Sequence, residues 1–212
     1  MLIVFLEVYK QLNFSLNVKD GVVYWDYQWY AFPFQLCTTP IFISLICLFL
    51  KKGKVRDSLL SYMAFVTILG SISTMLIPES CLVSDILVNI HTMWLHLGSF
   101  VVSVYLIMNG VVKLNKKNFF RAIYVFFGFV FIAFLMNIIV YNSGILNDET
   151  FNMFYISPYF ISSLPVFDVI QESVSYVLFL LIYIVALSLG AGIIYWISKF
   201  ISICFKKCKK IH

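Results

Sequence analysis

The sequence predicts an all-α, polytopic transmembrane helix bundle with about five full spans and a short N-terminal helix. Three observations carry this expectation. Hydrophobic residues make up 62% of the 212 residues and charged residues only 12%, against roughly 25% charged in soluble domains. Mean hydropathy is +0.95. Apolar runs of bilayer length alternate with short clusters of Lys and Arg. No room is left for a soluble domain of normal size, so residues 1–212 read as a single integral membrane domain. Aromatics, at 18%, suit lipid-facing surfaces and interfacial belts. The net charge of +5 does not indicate a nucleic-acid partner. The basic residues sit beside apolar runs, as an orientation signal should, and the expected partners are membrane lipids.

Residues 2–8 are apolar but too short for a span, which needs about 20 residues. No small-residue cleavage site follows, which argues against a signal peptide. Glu7 and Lys10 interrupt the run, as at the end of a helix or in an interfacial one. Residues 13–30 form a polar and aromatic link. It holds an Asp20-Gly21 turn signal and an interfacial-type cluster of Tyr24, Trp25, Tyr27, Trp29 and Tyr30.

The first predicted span covers about 33–50 and ends at Lys51, Lys52, Lys54 and Arg56. The second covers 58–77, where Pro78 stops it; Glu79, Cys81 and Asp85 follow. The third covers 86–108 and is followed by Lys113, Lys116, Lys117 and Arg121. The fourth covers 119–141. A long link, 142–169, carries Asp148, Glu149, Pro158, Pro165 and Asp168, and its length suggests a lid or binding element. The fifth span covers 170–201, with Gly190-Ala191-Gly192 allowing close packing or a bend. Its basic tail, 202–212, is suited to anionic lipid.

Every Lys and Arg except Lys10 and Lys19 falls in the 51–56 link, the 113–121 link or the C-terminal end. This alternation supports the span count and predicts a cytoplasmic C-terminus. The expected setting is a bacterial cell membrane. The cysteines, Cys37, Cys47, Cys81, Cys204 and Cys208, are scattered, without a disulfide framework or CxxC metal spacing. No cofactor or metal is expected.

The stretch Ala31-Phe32-Pro33-Phe34-Gln35-Leu36-Cys37-Thr38-Thr39-Pro40 places a thiol, an amide and two hydroxyls just inside the first span. Pro33 suits a first helical turn. Pro40, further in, is expected to bend the helix beside Cys37. Polar atoms survive at this depth only against protein or water, which makes the cluster a site candidate. The plainer reading is a kinked helix whose threonines bond back to the backbone. By helical rise, Cys37 lies roughly 6–9 Å inside the outer edge, and His91 at a similar depth. His96 lies deeper. The two histidines are about 140° apart around a helix, too far for one narrow face. Asn89, His96 and Ser103 recur every seventh residue, with Ser99 one turn from His96. Asn137 and Glu172 approach the same outer edge from the fourth and fifth spans. Intramembrane polar groups point to function, yet each also has a structural use as interhelical glue or a dipole partner. Cys37 near a helix N-terminus and a histidine is the pairing needed to form and break a thioester.

The segment Phe32-Pro33-Phe34-Gln35-Leu36-Cys37 resembles the leucine-proline-leucine-histidine-leucine-cysteine segment of the YwaF-type integral membrane proteins, whose eukaryotic relative is transmembrane protein 164. The resemblance continues through Leu69-Gly70 and Pro78-Glu79, His96 with Gly98, Asn137, Asn152-Met153-Phe154, Leu164-Pro165 and Glu172. It covers about residues 1–195. It implies a membrane-embedded lipid acyltransferase working through a cysteine acyl intermediate, with Cys37 as nucleophile and His96 as base. By the same resemblance Asn137 and Glu172 would be polar support, and Gln35 and His91, from their own depth, are further supporting polar candidates. Gln35 stands where the family usually has histidine. The family also begins with one or two further helices, so the chain resembles a shortened version. The alternative expectation is a non-enzymatic membrane protein, a small-solute carrier or assembly partner, whose polar residues pack helices or bind a ligand.

Overall fold

Long apolar runs become helices because hydrocarbon offers the backbone no water, so each N–H and C=O must be satisfied within its own segment. The computed structural model describes residues 2–76 and 82–208, with side chains to residue 204. The expectations for Pro78, Glu79 and Cys81 lie outside the described residues. Helix α1 spans Leu2–Ser15. A short α2 spans Thr39–Phe49. Three long helices follow: α3 over Lys54–Leu76, α4 over Ile86–Met108 and α5 over Lys116–Asn142. After a long loop come α6, Phe167–Ser173, and α7, Tyr176–Cys208. Four of these helices are long and apolar enough to cross a membrane: α3, α4, α5 and Tyr176–Cys204 of α7. The protein is an integral membrane protein built as an all-α bundle.

The first predicted span differs from the observed element. Its helix begins at Thr39 and has 11 residues, roughly 16 Å at helical rise and well short of a bilayer core of about 30 Å. Pro40 is the reason. It sits in the first turn of α2, where its missing N–H forfeits nothing. It starts the helix instead of bending one, so no kink forms beside Cys37. The fifth predicted span also divides. Val174 is extended at the C-terminus of α6, and α7 starts afresh at Tyr176. Residues 13–30, read as a link, contain an antiparallel hairpin, β1 (Leu16–Lys19) with β2 (Val22–Trp25). Its turn is the Asp20-Gly21 pair, with φ of +54° and +77° as a mirror-image two-residue turn requires.

In lipid, close packing and interhelical hydrogen bonds hold helices together more than apolar burial does. The core is correspondingly tight. Tyr62, Phe65, Phe126, Phe154 and Tyr183 are buried among α3, α5, α7 and the 150s loop. Gly190 of α7 approaches Leu69 of α3 so closely that a Cβ there would lie 3.0 Å from its Cδ1. This is the close packing expected of the Gly190-Ala191-Gly192 run.

Helix α3 carries one π-helical turn, Met63–Thr67. Such a turn disturbs the usual carbonyl pairing. The Met63 carbonyl accepts from the Thr67 hydroxyl at 2.8 Å and from the Ser103 hydroxyl of α4 at 2.7 Å. Part of the polar stripe on α4 therefore joins helices. Asn89 stands apart from it, bonding both the N–H and the carbonyl of Val83.

Candidate functional site

Cys37 lies in the turn that leads into α2. The Thr38 hydroxyl accepts from the Gln35 N–H at 2.8 Å and donates to the Gln35 carbonyl at 3.0 Å. The Thr39 hydroxyl donates to the Leu36 carbonyl at 2.8 Å and lies 3.0 Å from the Tyr62 hydroxyl. The threonines thus turn back on the backbone, as the plainer sequence reading expected, and in doing so they fix the thiol's position.

The half-buried Cys37 lines a cavity of about 530 Å³ together with Gln35, Thr38, His91, Thr92, Leu95 and His96. Lys10 of α1 and Asn152 and Tyr155 of the long loop line it too. His91 and His96 share the cavity despite their angular separation. Leu95 and Thr92 fall between them around the helix, so the two imidazoles border one broad sector of α4. Both histidines are buried. Each Nδ1 has no hydrogen-bond partner among the described residues. His96 Nε2 lies 3.4 Å from the Thr74 hydroxyl.

His91 has a stronger neighbour. Its Nε2 lies 2.8 Å from Glu7 Oε2. Glu7 also accepts from Gln11 at 2.9 Å and pairs with Lys10 at 2.7 Å. Gln11 is itself held, donating to the Ala31 carbonyl at 2.7 Å and accepting from the Tyr27 hydroxyl at 3.0 Å. Tyr9 and Asn13 anchor α1 to Asp85, the cap of α4, at 3.1 and 3.2 Å. Glu7 is only 8% exposed, so α1 turns a charge inward toward α4. Burial pushes the Glu7 carboxyl up, but His91, Lys10 and Gln11 outweigh it and hold its pKa down at about 2.

That depression fixes a pH dependence. The carboxylate's contribution to stability is present in full above its ordinary value of 4.5 and fades as pH falls toward 2. Glu7→Gln therefore lowers the Tm in detergent at neutral pH, and the gap to wild type closes between pH 4.5 and 2. A gap unchanged across that range contradicts the ion pair.

The supporting residues divide. Gln35 lines the cavity and clamps the long loop: its Nε2 donates to the Asn152 carbonyl at 2.9 Å, and its Oε1 accepts from the Phe154 N–H at 2.7 Å. Asn137, buried on α5, makes the equivalent pair with Met153, donating to its carbonyl at 3.0 Å and accepting from its N–H at 2.7 Å. It holds the loop from behind and does not line the cavity. At and just after these clamps, Phe154 and Tyr155 take left-handed φ values of +56° and +58°, a conformation that costs non-glycine residues roughly 1–2 kcal/mol each. Glu172 is exposed on α6, away from the cavity. Its neighbour Gln171 reaches inward instead, accepting from the Ser162 N–H and donating to the Ser157 and Phe160 carbonyls.

Sequence reasoning missed the role of Glu7, Lys10 and Gln11. The available signal was their i, i+3, i+4 spacing inside an apolar run. Among the described residues, no group of three or more His, Cys, Asp or Glu side chains is gathered for a metal ion. A thiol and two imidazoles line one hollow, with the Glu7 carboxylate against His91, and such a set can support acyl transfer through a thiol. A family model described as the TMEM164 family matches residues 1–197. No curated protein and no solved structure matches the chain.

Proposed function

The chain belongs to the TMEM164 family, and from the site it carries we propose that it transfers acyl groups between membrane lipids through a thioester on Cys37. The observation behind this reading is that Cys37, His91 and His96 line one cavity while Glu7 sits against His91. The Cys37 thiol gives its proton to an imidazole. The thiolate attacks the ester carbonyl; the S–C bond forms, and the C–O bond breaks as the departing lipid oxygen takes the proton back. An acceptor hydroxyl then gives its proton to the imidazole and attacks the thioester, restoring the thiol. Water as acceptor would make the same site a hydrolase.

Of the two imidazoles, we assign the base to His91, because Glu7 lies 2.8 Å from its Nε2 and would orient the ring with Nδ1 left to take the thiol proton, whereas His96 has only a hydroxyl at 3.4 Å. His96, the base implied by the family resemblance, would then line the substrate's side of the cavity.

The basic links lie at the other end of α4 and α5 from this cavity. By the positive-inside rule, the cavity opens in the outer half of the bilayer and the C-terminus is cytoplasmic. The chemistry is tested by incubating the protein with phospholipid vesicles and weighing it intact. The expected result is an acyl adduct on Cys37 that hydroxylamine removes. An adduct that persists in Cys37→Ser, or no adduct from any phospholipid class, overturns the proposal.

A further inference from the structure

A second cavity, of about 370 Å³, lies at the far end of the bundle and has no part in the acyl chemistry. It is lined by Lys113, Lys117 and Arg121, by the single carboxylate of Asp57, and by small polar groups including Asn115 and Asn118. From His96 to the end of α4 at Met108, roughly 18 Å of helix separates the two sites. The loop between α4 and α5 is firmly built. The Asn118 side chain donates to the Lys113 carbonyl at 3.1 Å, and its N–H donates to the Asn115 side chain at 2.8 Å. Arg121 is held through one nitrogen: Nη1 donates to Asn118 at 3.1 Å and to Asp57 at 3.4 Å. Lys113 and Lys117 are exposed beside it. The cavity therefore carries more positive charge than Asp57 can balance, and its guanidinium is already oriented.

Surrounding surfaces point to lipid. Val111, which lines the cavity, and Val55 and Phe120, close in sequence to lining residues, are all more than half exposed. This is where an acyl chain would lie while its headgroup entered the cavity. We propose that the cavity binds the phosphodiester of an anionic phospholipid, with Lys113, Lys117 and Arg121 as its donors. Zwitterionic lipid brings its own cation and meets no such surplus.

The test is native mass spectrometry of the detergent-purified full chain titrated with phosphatidylglycerol, phosphatidylcholine or inorganic phosphate. Phosphatidylglycerol is expected to bind on the order of tenfold more tightly than phosphatidylcholine. The double variant Lys113→Gln/Lys117→Gln should lose that preference. Lys51→Gln/Lys52→Gln, which removes the same charge outside the cavity, should keep it. Equal binding of the two lipids by wild type, or equal loss in both double variants, overturns the site. Inorganic phosphate displacing phosphatidylglycerol at comparable concentration would make it a site for a soluble anion and overturn the lipid assignment.

Discussion

Cys37→Ser is expected to abolish transfer of an acyl chain from phospholipid to the protein, lowering the rate by more than about 10³-fold. The thiol is what the chemistry requires, because a thiolate forms near neutral pH and a serine alkoxide does not. The fold should be untouched. The turn that carries Cys37 is held by the hydroxyls of Thr38 and Thr39 bonding to Gln35 and Leu36, and none of these bonds uses the sulfur. A fluorescent acyl donor followed by gel imaging reads the effect directly. Cys47, buried on α2, and Cys204, exposed near the end of α7, provide internal comparisons. Labelling that survives in Cys37→Ser and disappears in Cys204→Ser would move the reactive thiol to the opposite end of the bundle.

The largest effect on stability is expected at Asn137. Its carboxamide satisfies both backbone groups of Met153, and both residues are fully buried. Asn137→Leu fills similar space but leaves a buried N–H and a buried carbonyl without partners. At about 1–3 kcal/mol for each orphaned group, the loss is about 4 kcal/mol. Phe154 and Tyr155 are held in left-handed conformations by this clamp and by Gln35, so the strained turn should relax first. The expected result is a lower Tm together with rapid proteolysis within residues 145–165. Asn137→Asp keeps the acceptor and loses the donor, and should fall between. A Tm equal to wild type in Asn137→Leu would mean that the Gln35 clamp and the aromatic contacts hold the loop without Asn137.

Much of this architecture was legible in the sequence because bilayer spans are long and uniform. Residues 86–108 were expected as a span and form α4 over the same range. The second and fourth spans differ from α3 and α5 by a few residues at their ends. Pro40 was harder. Its ring fits the first turn of a helix or kinks the interior of one, and the apolar residues before it made the interior the natural choice. The deciding contacts are the threonine hydroxyls that close the turn ahead of it. The hairpin in residues 13–30 is hidden because its strands are only four residues each and largely exposed, although the Asp20-Gly21 turn is legible.

At the candidate site, the residue types were legible and their partners were not. Cys37, His91 and His96 announce themselves by polarity at membrane depth. Asn137 and Gln35 announce themselves in the same way, yet both prove to grip backbone groups of a loop more than a dozen residues away in sequence. Glu7 reads as a charge at the edge of a short apolar helix. Nothing local joins it to His91, because that contact depends on how α1 docks against α4.

The claim on which the function rests is that an imidazole in this cavity takes the Cys37 proton. The pH dependence of Cys37 alkylation by a lipid-like chloroacetamide tests it most directly. In wild type the rate should level off below the ordinary thiol value of about 8.5. His91→Ala should move the inflection up to that value, with Glu7→Gln between the two. A shift in His96→Ala alone would keep the pair and change its base. Superimposable profiles for wild type, His91→Ala and His96→Ala would contradict the claim.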